Sequence, residues 1–332
     1  MTINERIKAF SELGKTLRNN ALSKEIKLTA EQNNKWFIQE NIDMAINEIA
    51  VNLTEDKLKQ WLENYSCNST GEKTVGVVMA GNIPLVGFHD FLSVLICGHK
   101  IMAKLSSKDK FLLPAIADLL IKINPEFKEK IFFTDSKLSN IDAIIATGSD
   151  NSAKYFEYYF GKYPNIIRKN RTSVALLTGN ENNDDLYRLG FDILSYFGLG
   201  CRNVSKLFVP ENYDFTKFFE AIEPHSKVYI NNKYANNYDY NKSIYLMNKT
   251  KHLDNGFLIL KQDFSYNSPV GVVFYEEYKN LDTIKKRLEH DKEKLQVIIS
   301  NTDNYTKFGQ SQSPALDDYA DGIDTLEFLQ KL

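Results

Sequence analysis

The sequence predicts an α/β protein with mainly parallel sheets and a helical N-terminal segment. Three observations carry that prediction. From residue 73 onward, short runs rich in β-branched residues alternate with helical segments, which is typical of βαβ units. The first 65 residues show helical patterns instead. The length of 332 residues is about twice the usual domain length of roughly 150, so we expect two domains or one large α/β unit.

The N-terminal segment is predicted to form three helices. They are Ile3–Leu17, Thr29–Val51 and Thr54–Asn64. Thr29 and Thr54 are the expected N-caps, and Gln32 completes a capping box with Thr29.

The alternating part predicts a series of strands and helices. The predicted strands are Thr74–Met79, Lys100–Lys104, Lys130–Phe133, Ala143–Ala146, Ser173–Leu177 and Ser205–Val209. The predicted helices are Leu85–Cys97, Phe111–Ile123, Asn151–Phe160 and Asp184–Tyr196.

After Pro210 the pattern loosens. The segment Tyr229–Asn248 is crowded with Asn and Tyr and predicts a surface loop or an irregular strand pair. Regular structure is predicted to resume with strands at Gly256–Leu260, Val270–Phe274 and Leu295–Ser300 and with a helix at Asn280–Glu289.

Composition excludes several classes of protein. A formal net charge of −2 does not fit a nucleic-acid or membrane-surface protein. No apolar run approaches the roughly 20 residues of a membrane span, and the N-terminus does not resemble a signal peptide. The five histidines lack ligand spacing, so no metal is expected. We expect a soluble, cytoplasmic protein.

The three cysteines, an odd and sparse set, argue against a disulfide framework. Cys97 lies in an apolar stretch and is expected in the core, and Cys67 is expected in a polar turn. Cys201 follows two glycines, Gly198 and Gly200, which allow a tight turn. A Cys201 thiolate is a candidate nucleophile, with its own backbone amide as an oxyanion donor. The alternative is a buried cysteine at a helix-to-strand turn.

Three further turns are candidate sites because each follows a predicted strand. Asn82 can present its side-chain amide to an oxyanion, or it is an ordinary turn residue. Lys104–Lys108 can reach ribose or phosphate oxygens, or it is a solvated loop. Thr147–Asp150 can bind a diphosphate at the positive end of a helix, or it only caps that helix. Neither a Gly-x-Gly-x-x-Gly nor a Walker motif occurs, so a nucleotide site here is of another design.

Taken in order, these motifs resemble the aldehyde dehydrogenase superfamily, and most closely its acyl-CoA reductase branch, the LuxC-like fatty-acid reductases. The resemblance runs from about Thr74 to the C-terminus. The matching segments are Met79–Gly87, Lys104–Lys108, Ala146–Ser149, Gly198–Asn203 and the tail Phe308–Asp321.

The resemblance implies a fold and a domain division. The fold is aldehyde dehydrogenase-like, with two closely packed Rossmann-like three-layer α/β/α domains. Residues 1–168 would hold the N-terminal helices and an NAD(P)-binding domain, 169–310 the catalytic thiol domain, and 311–332 a tail packing back on the body.

The resemblance also implies residue roles. Cys201 matches the nucleophile, and Asn82 matches the oxyanion-binding Asn. The cofactor ribose would be bound by Lys104, with Ser106 and Ser107 beside it, and the cofactor diphosphate by Thr147, Gly148 and Ser149.

Two departures from the family pattern bear on the reaction. Ile166–Arg171 stands where hydrolytic members carry a Glu that activates water, so an acyl-enzyme should persist until a thiol or a hydride arrives. Ser107 stands where many NAD-preferring members carry Glu, and Lys108 adds a charge nearby. NADPH is therefore the favoured cofactor, with NADH as the alternative.

The expected function is reduction of an acyl-CoA to an aldehyde by NADPH, through an acyl-cysteine on Cys201 and with CoA as leaving group. One alternative is an acyl-phosphate-dependent semialdehyde dehydrogenase similar to γ-glutamyl phosphate reductase, with cations from Arg168, Lys169 and Arg171. Another is a non-catalytic acyl- or nucleotide-binding subunit. A homodimer, and a monomer served by an acyl-transferring partner enzyme, both remain open.

Overall fold

The computed structural model describes residues 1–67, 71–148, 150–302 and 305–332. The chain forms two compact units. Unit 1 comprises Met1–Asn170 together with Ala315–Leu332, and unit 2 comprises Arg171–Pro314. In each unit the strands of one sheet alternate with helices along the chain, so the predicted α/β class is confirmed.

Unit 1 begins with four helices rather than the predicted three. They are α1 (Ile3–Arg18), α2 (Lys24–Asn33), α3 (Gln39–Asn52) and α4 (Glu55–Leu62). The prediction of one helix over Thr29–Val51 is wrong, because the backbone becomes extended at Asn34. The Asn34 side chain accepts a hydrogen bond from the Trp36 N–H at 3.2 Å, and a local bond of this kind competes with the helix.

The helix caps also differ from the prediction at one position. Thr29 is not an N-cap, because it lies inside α2, where its hydroxyl donates to the carbonyl oxygen four residues earlier. The N-cap of α2 is Ser23. The capping box is formed by Thr2 and Glu5 at the start of α1. Thr54 caps α4, as predicted.

The sheet of unit 1 has five parallel strands. They are β1 (Thr74–Val78), β2 (Lys100–Lys104), β3 (Ile131–Thr134), β4 (Ala143–Thr147) and β5 (Asn165–Arg168). Their order is β3–β2–β1–β4–β5, and the sequence did not indicate β5, which has only four residues. Since the strand order reverses at β1, the carboxyl ends of β1 and its neighbours are where such sheets bind ligands.

Three helices connect these strands. They are α5 (Phe88–Ile96), α6 (Leu112–Ile123) and α7 (Asp150–Phe160). The predicted start of α5 at Leu85 is wrong, because Leu85 has a left-handed backbone with φ of 58°.

In the part of unit 2 that the structure describes, six strands form one sheet. In chain order the elements are β6 (Thr172–Leu176), α8 (Asn183–Leu194), β7 (Val204–Pro210), α9 (Phe215–Ile222), α10 (Asn232–Met247), β8 (Leu253–Asp254), β9 (Ile259–Gln262), β10 (Val272–Tyr278), α11 (Leu281–His290) and β11 (Leu295–Ile299). The strand order is β11–β6–β7–β10–β9–β8. Only the short β8 pairs antiparallel, with β9, among the described strands.

The helix α10 corrects a prediction, because Tyr229–Asn248 is neither a loop nor a strand pair. Tyr234, Tyr238 and Asn241 form one buried stripe at helical spacing. The Asn241 side chain donates to a carbonyl oxygen four residues earlier, at 2.9 Å, and to the Val270 carbonyl oxygen at 3.0 Å. The helix therefore accommodates Asn side chains by hydrogen bonds to carbonyl oxygens, although the abundance of Asn in the sequence suggested irregular structure.

The C-terminal residues 315–332 return to unit 1 and end in α12 (Thr325–Gln330). The Trp61 indole N–H donates to the Tyr319 hydroxyl at 2.9 Å. The Tyr65 hydroxyl donates to the Asp324 carboxylate at 2.6 Å. These bonds join α4 and the residues after it to a segment more than 250 positions later in the sequence.

None of the helices in the described residues is long and apolar enough to cross a membrane. Among the same residues, no three His, Cys, Asp or Glu side chains come together as a metal-binding group.

Candidate active site

The predicted nucleophile follows a sharp turn between α8 and β7. Tyr196 and Phe197 have φ of 49° and 59°, and Gly198 follows with φ of 75°. A left-handed backbone costs a residue with a side chain about 1–2 kcal/mol, and burial of the two aromatic rings offsets that strain. Cys201 is exposed, so the alternative of a buried cysteine is wrong.

The buried side chain of Asn203 holds this turn together. Its Oδ1 accepts from the Gly200 N–H at 2.8 Å. Its Nδ2 donates to the Ser195 carbonyl oxygen at 2.8 Å and to the carbonyl oxygens of Asp192 and Ile193 at 3.2 and 3.3 Å. One amide group therefore ties the end of α8 to the residue just before Cys201.

A second buried side chain fixes the backbone of Cys201 itself. The Ser173 hydroxyl on β6 donates to the Cys201 carbonyl oxygen at 2.8 Å and accepts from the Val297 N–H of β11 at 3.1 Å. The Ser173 hydroxyl links the Cys201 carbonyl to β6 and, through the Val297 N–H, to β11, so the backbone that carries the exposed thiol is fixed.

A third contact brings the segment after β11 to the turn. The fully buried Asp192 carboxylate accepts from the Gly309 N–H at 2.7 Å and from the Ser311 N–H at 2.9 Å. Burial raises the pKa of Asp192 above its ordinary value. The Arg202 guanidinium donates to the Ser311 carbonyl oxygen at 3.3 Å. The residues on either side of Cys201 are thus anchored within unit 2.

In unit 1, Asn82 lies on the turn that follows β1 and is exposed. The preceding Gly81 packs directly against the turn after β2, since a Cβ at position 81 would come within 2.5 Å of the Ser106 Oγ. The Ser106 hydroxyl accepts from the Lys108 N–H at 3.3 Å. A glycine at position 81 therefore lets the two turns touch, which brings the predicted oxyanion residue beside one group of predicted cofactor residues.

A buried carboxylate supports the Asn82 turn. Leu85, whose backbone is left-handed, donates its N–H to Asp109 Oδ2 at 2.8 Å. Asp109 is 7% exposed, and desolvation raises its pKa to about 6. The fold thus holds the far end of this turn with an acid that titrates near neutral pH.

The remaining predicted cofactor residues lie at the carboxyl ends of β2 and β4, on either side of β1. Lys104 is half-buried and Ser107 is exposed. Thr147 ends β4, and Gly148 lies between it and α7, while Ser149 lies outside the described residues. An ammonium, hydroxyls and a helix N-terminus are donors that suit ribose and diphosphate oxygens. These residues therefore fit a dinucleotide.

No protein-family model matches the chain, and no curated protein matches its sequence. Solved structures match its fold. Aldehyde dehydrogenase 21 from Physcomitrella patens, in complex with succinate, aligns over 100% of this chain and 84% of its own length at 13% identity, with a TM-score of 0.67. The chain has the aldehyde dehydrogenase fold.

Two further structures with this fold contain a nicotinamide cofactor. An NAD+ complex of aldehyde dehydrogenase from Bacillus cereus aligns over 86% of this chain and 69% of its own at 13% identity, with a TM-score of 0.61. An indole-3-acetaldehyde dehydrogenase variant from P. syringae, bound to NAD+, aligns over 86% and 69% at 12% identity, with a TM-score of 0.63. At these identities the similarity establishes the aldehyde dehydrogenase fold.

Each of the three cations considered for an acyl phosphate already bonds to another residue of the protein. Arg168 is 3% exposed and donates to Asp90 at 2.6 Å and to Thr325 at 3.0 Å. Lys169 pairs with Glu157 at 3.1 Å. The Arg171 guanidinium donates to the Leu295 carbonyl oxygen at 3.2 Å. Their placement does not favour an acyl-phosphate site.

Sequence reasoning missed the residues that support the site of this aldehyde dehydrogenase fold. They are Ser173, Asp192 and Asn203 around Cys201, and Asp109 beneath the Asn82 turn. The only sequence signal was that Asn203 lies two residues after the cysteine, inside a matching motif. Three of the four bond to residues far away in the chain, which no local pattern shows.

The raised pKa of Asp109 predicts a pH-dependent stability difference. Between about pH 4 and pH 6 the unfolded chain ionises Asp109 while the folded chain keeps it protonated, so rising pH weakens the fold at this site. Relative to wild type, Asp109→Asn should gain up to about 3 kcal/mol of unfolding free energy from pH 4 to pH 7, at about 1.4 kcal/mol per pKa unit. Urea unfolding at several pH values measures the difference.

The matched control is the exposed Asp118 on α6. Asp118→Asn should change the unfolding free energy by a similar small amount at every pH. A difference between Asp109→Asn and wild type that does not vary with pH would contradict the assignment.

Proposed function

We propose that this protein is an acyl-CoA reductase that forms a covalent acyl-cysteine on Cys201. The observation that carries the proposal is the exposed Cys201 on a turn whose backbone is anchored on both sides. An exposed thiol beside a cationic residue, Arg202, is the environment in which cysteines react. The motif resemblance and the aldehyde dehydrogenase fold support the same chemistry.

In the first half-reaction the Cys201 thiolate attacks the thioester carbonyl carbon. The carbonyl π electrons move to oxygen, and the resulting oxyanion accepts hydrogen bonds from the Cys201 backbone amide and, by the resemblance, from the Asn82 side chain. When the carbonyl re-forms, the bond to CoA breaks and CoA leaves as a thiolate. One thioester replaces another, so the main requirement is pre-organised oxyanion donors, each contributing about 3–4 kcal/mol.

The rigid surroundings of Cys201 serve this step. The Cys201 carbonyl oxygen accepts from the Ser173 hydroxyl, and the Gly200 carbonyl oxygen accepts from the Asn203 N–H at 3.1 Å, so the peptide groups on either side of the Cys201 Cα cannot rotate freely during the reaction. A donor amide that keeps its direction costs no reorganisation when charge develops on the substrate oxygen.

The residues of strand β5 support reduction of the acyl-enzyme by hydride rather than its hydrolysis by water. The segment that would carry a water-activating Glu in hydrolytic relatives contains this strand, with Ile166 buried and Arg168 bonded to Asp90. These side chains offer no general base, so the acyl-enzyme should resist hydrolysis.

For the second half-reaction, Lys104, Ser106, Ser107, Thr147 and Gly148 would bind the nicotinamide dinucleotide. When bound, this cofactor supplies the hydride that reduces the acyl group to an aldehyde. NADPH is proposed over NADH because Ser107 is exposed and neutral, and Lys108 beside it is exposed and cationic.

The proposed reaction is tested by turnover with NADPH and acyl-CoAs from short to long chain, followed through the fluorescence of the cofactor. Cys201→Ala should abolish acyl-CoA-dependent NADPH oxidation. Asn82→Ala should lower kcat about 100- to 1,000-fold with little change in cofactor affinity, because it removes a donor used in the transition state. Unchanged unfolding curves for both variants serve as the control. Retained turnover in Cys201→Ala would refute the proposal, and an Asn82→Ala effect confined to KM would refute the oxyanion role.

The preference for NADPH over NADH is tested at Ser107. Ser107→Glu should weaken NADPH binding at least about 10-fold, because a carboxylate repels the 2′-phosphate, while NADH binding should hold or improve. The neutral variant Ser107→Gln is the matched control for size. Dissociation constants from fluorescence titration give both values. Equal weakening by Glu and Gln, or no preference of the wild type for NADPH, would contradict the assignment.

A further inference from the structure

Two cysteines that the proposed reaction does not use lie against each other in unit 1. Cys67 follows α4, and Cys97 is the C-cap of α5. Each is 1% exposed, and their sulfur atoms are 2.8 Å apart. The prediction that Cys67 lies in a polar turn is therefore wrong, because its side chain faces the core beside Cys97.

A buried arginine bonds to the backbone at both cysteines. Arg6 of α1 is 6% exposed. Its Nε donates to the Ile96 carbonyl oxygen at 2.7 Å, and its Nη2 donates to the Cys67 carbonyl oxygen at 2.7 Å. The guanidinium thus fixes the backbone of both segments and adds a positive charge near both sulfurs, which favours a thiolate.

The two thiols differ in acidity. The hydrogen bond from the Cys97 thiol, with the charge of Arg6, lowers the pKa of Cys67 despite its burial. The same bond and burial raise the pKa of Cys97 well above its usual value. Cys67 is therefore the partner that ionises first, and Cys97 keeps its proton.

We propose that Cys67 and Cys97 form a thiol-oxidation site that a peroxide converts reversibly into a disulfide. The Cys67 thiolate attacks one oxygen of hydrogen peroxide, the O–O bond breaks, and a sulfenic acid forms with release of hydroxide. The Cys97 sulfur then attacks the Cys67 sulfur, the Cys97 proton passes to the sulfenic oxygen, the S–O bond breaks and that oxygen leaves as water. Two thiols lose two electrons and two protons, and one peroxide becomes two water molecules.

The geometry favours a disulfide over further oxidation. A disulfide needs a sulfur separation of about 2.05 Å, so these sulfur atoms have to approach by less than about 1 Å. A sulfenic acid with a thiol at this distance condenses before a second peroxide arrives. Because both sulfur atoms are buried, only small oxidants reach them, and the reaction is slower than at an exposed thiol. Burial does not change the product, which is the disulfide.

The cross-link would enclose the part of unit 1 that carries the Asn82 turn. The residues between the two cysteines include β1, that turn and α5. A disulfide that closes a loop of this size restricts the unfolded chain and should raise the melting temperature by several degrees. The proposal is independent of the reaction proposed for Cys201.

The test uses the full-length Cys201→Ala variant, which removes the exposed thiol. After treatment with hydrogen peroxide it is unfolded in excess iodoacetamide and mapped by mass spectrometry. A linked peptide containing Cys67 and Cys97, lighter by two hydrogen atoms and restored by dithiothreitol, is the expected result. Wild type treated in parallel shows, through oxidation of the exposed Cys201, that the peroxide is active. If Cys67 and Cys97 are both still reduced, and therefore alkylated, after prolonged treatment, or if either accumulates sulfinic acid, the proposal is overturned.

A second variant links the disulfide to stability. In the Cys201→Ala background, Cys97→Ala leaves Cys67 without its partner. Peroxide should raise the melting temperature of the parent by several degrees and leave that of the Cys97→Ala protein unraised. An equal rise in both proteins would show that the cross-link is not the cause and would also overturn the proposal.

Discussion

The buried side chain of Asn203 is the constraint on which the reactive turn depends. Its bonds to four backbone groups hold a chain in which Tyr196 and Phe197 both have a left-handed backbone. At about 1 kcal/mol per net hydrogen bond, this amide supplies energy of the same size as the backbone strain. Ser173 then fixes the carbonyl of Cys201, so an exposed thiol is presented from a rigid backbone.

Parallel strand geometry plays the corresponding part in unit 1. Because all five strands run the same way, the turn with Asn82 and the cofactor residues after β2 and β4 lie along one edge of the sheet. The contact between Gly81 and Ser106 joins two of these turns, and Asp109 supports one of them from below. In unit 1 the backbone of the sheet therefore determines where the predicted oxyanion and cofactor residues lie.

The sequence predicted the α/β class, because alternating strands and helices leave a clear periodic pattern. It also indicated the Cys201 turn, because glycines before a cysteine are a local signal. It did not reveal Asp192, Ser173 or the pair of Cys67 and Cys97, whose contacts join residues up to 124 positions apart. The helix α10 was missed because its amide side chains bond within the helix, while their composition suggested a loop.

The proposed reaction requires Cys201 to act as a nucleophile toward thioesters. The most direct test is the intact mass of the protein after incubation with an acyl-CoA and no nicotinamide cofactor. We expect one acyl group per chain, located on Cys201 by peptide mapping, with one CoA released and no further turnover. Absence of an adduct, an adduct on another residue, or continued CoA release by hydrolysis would contradict it.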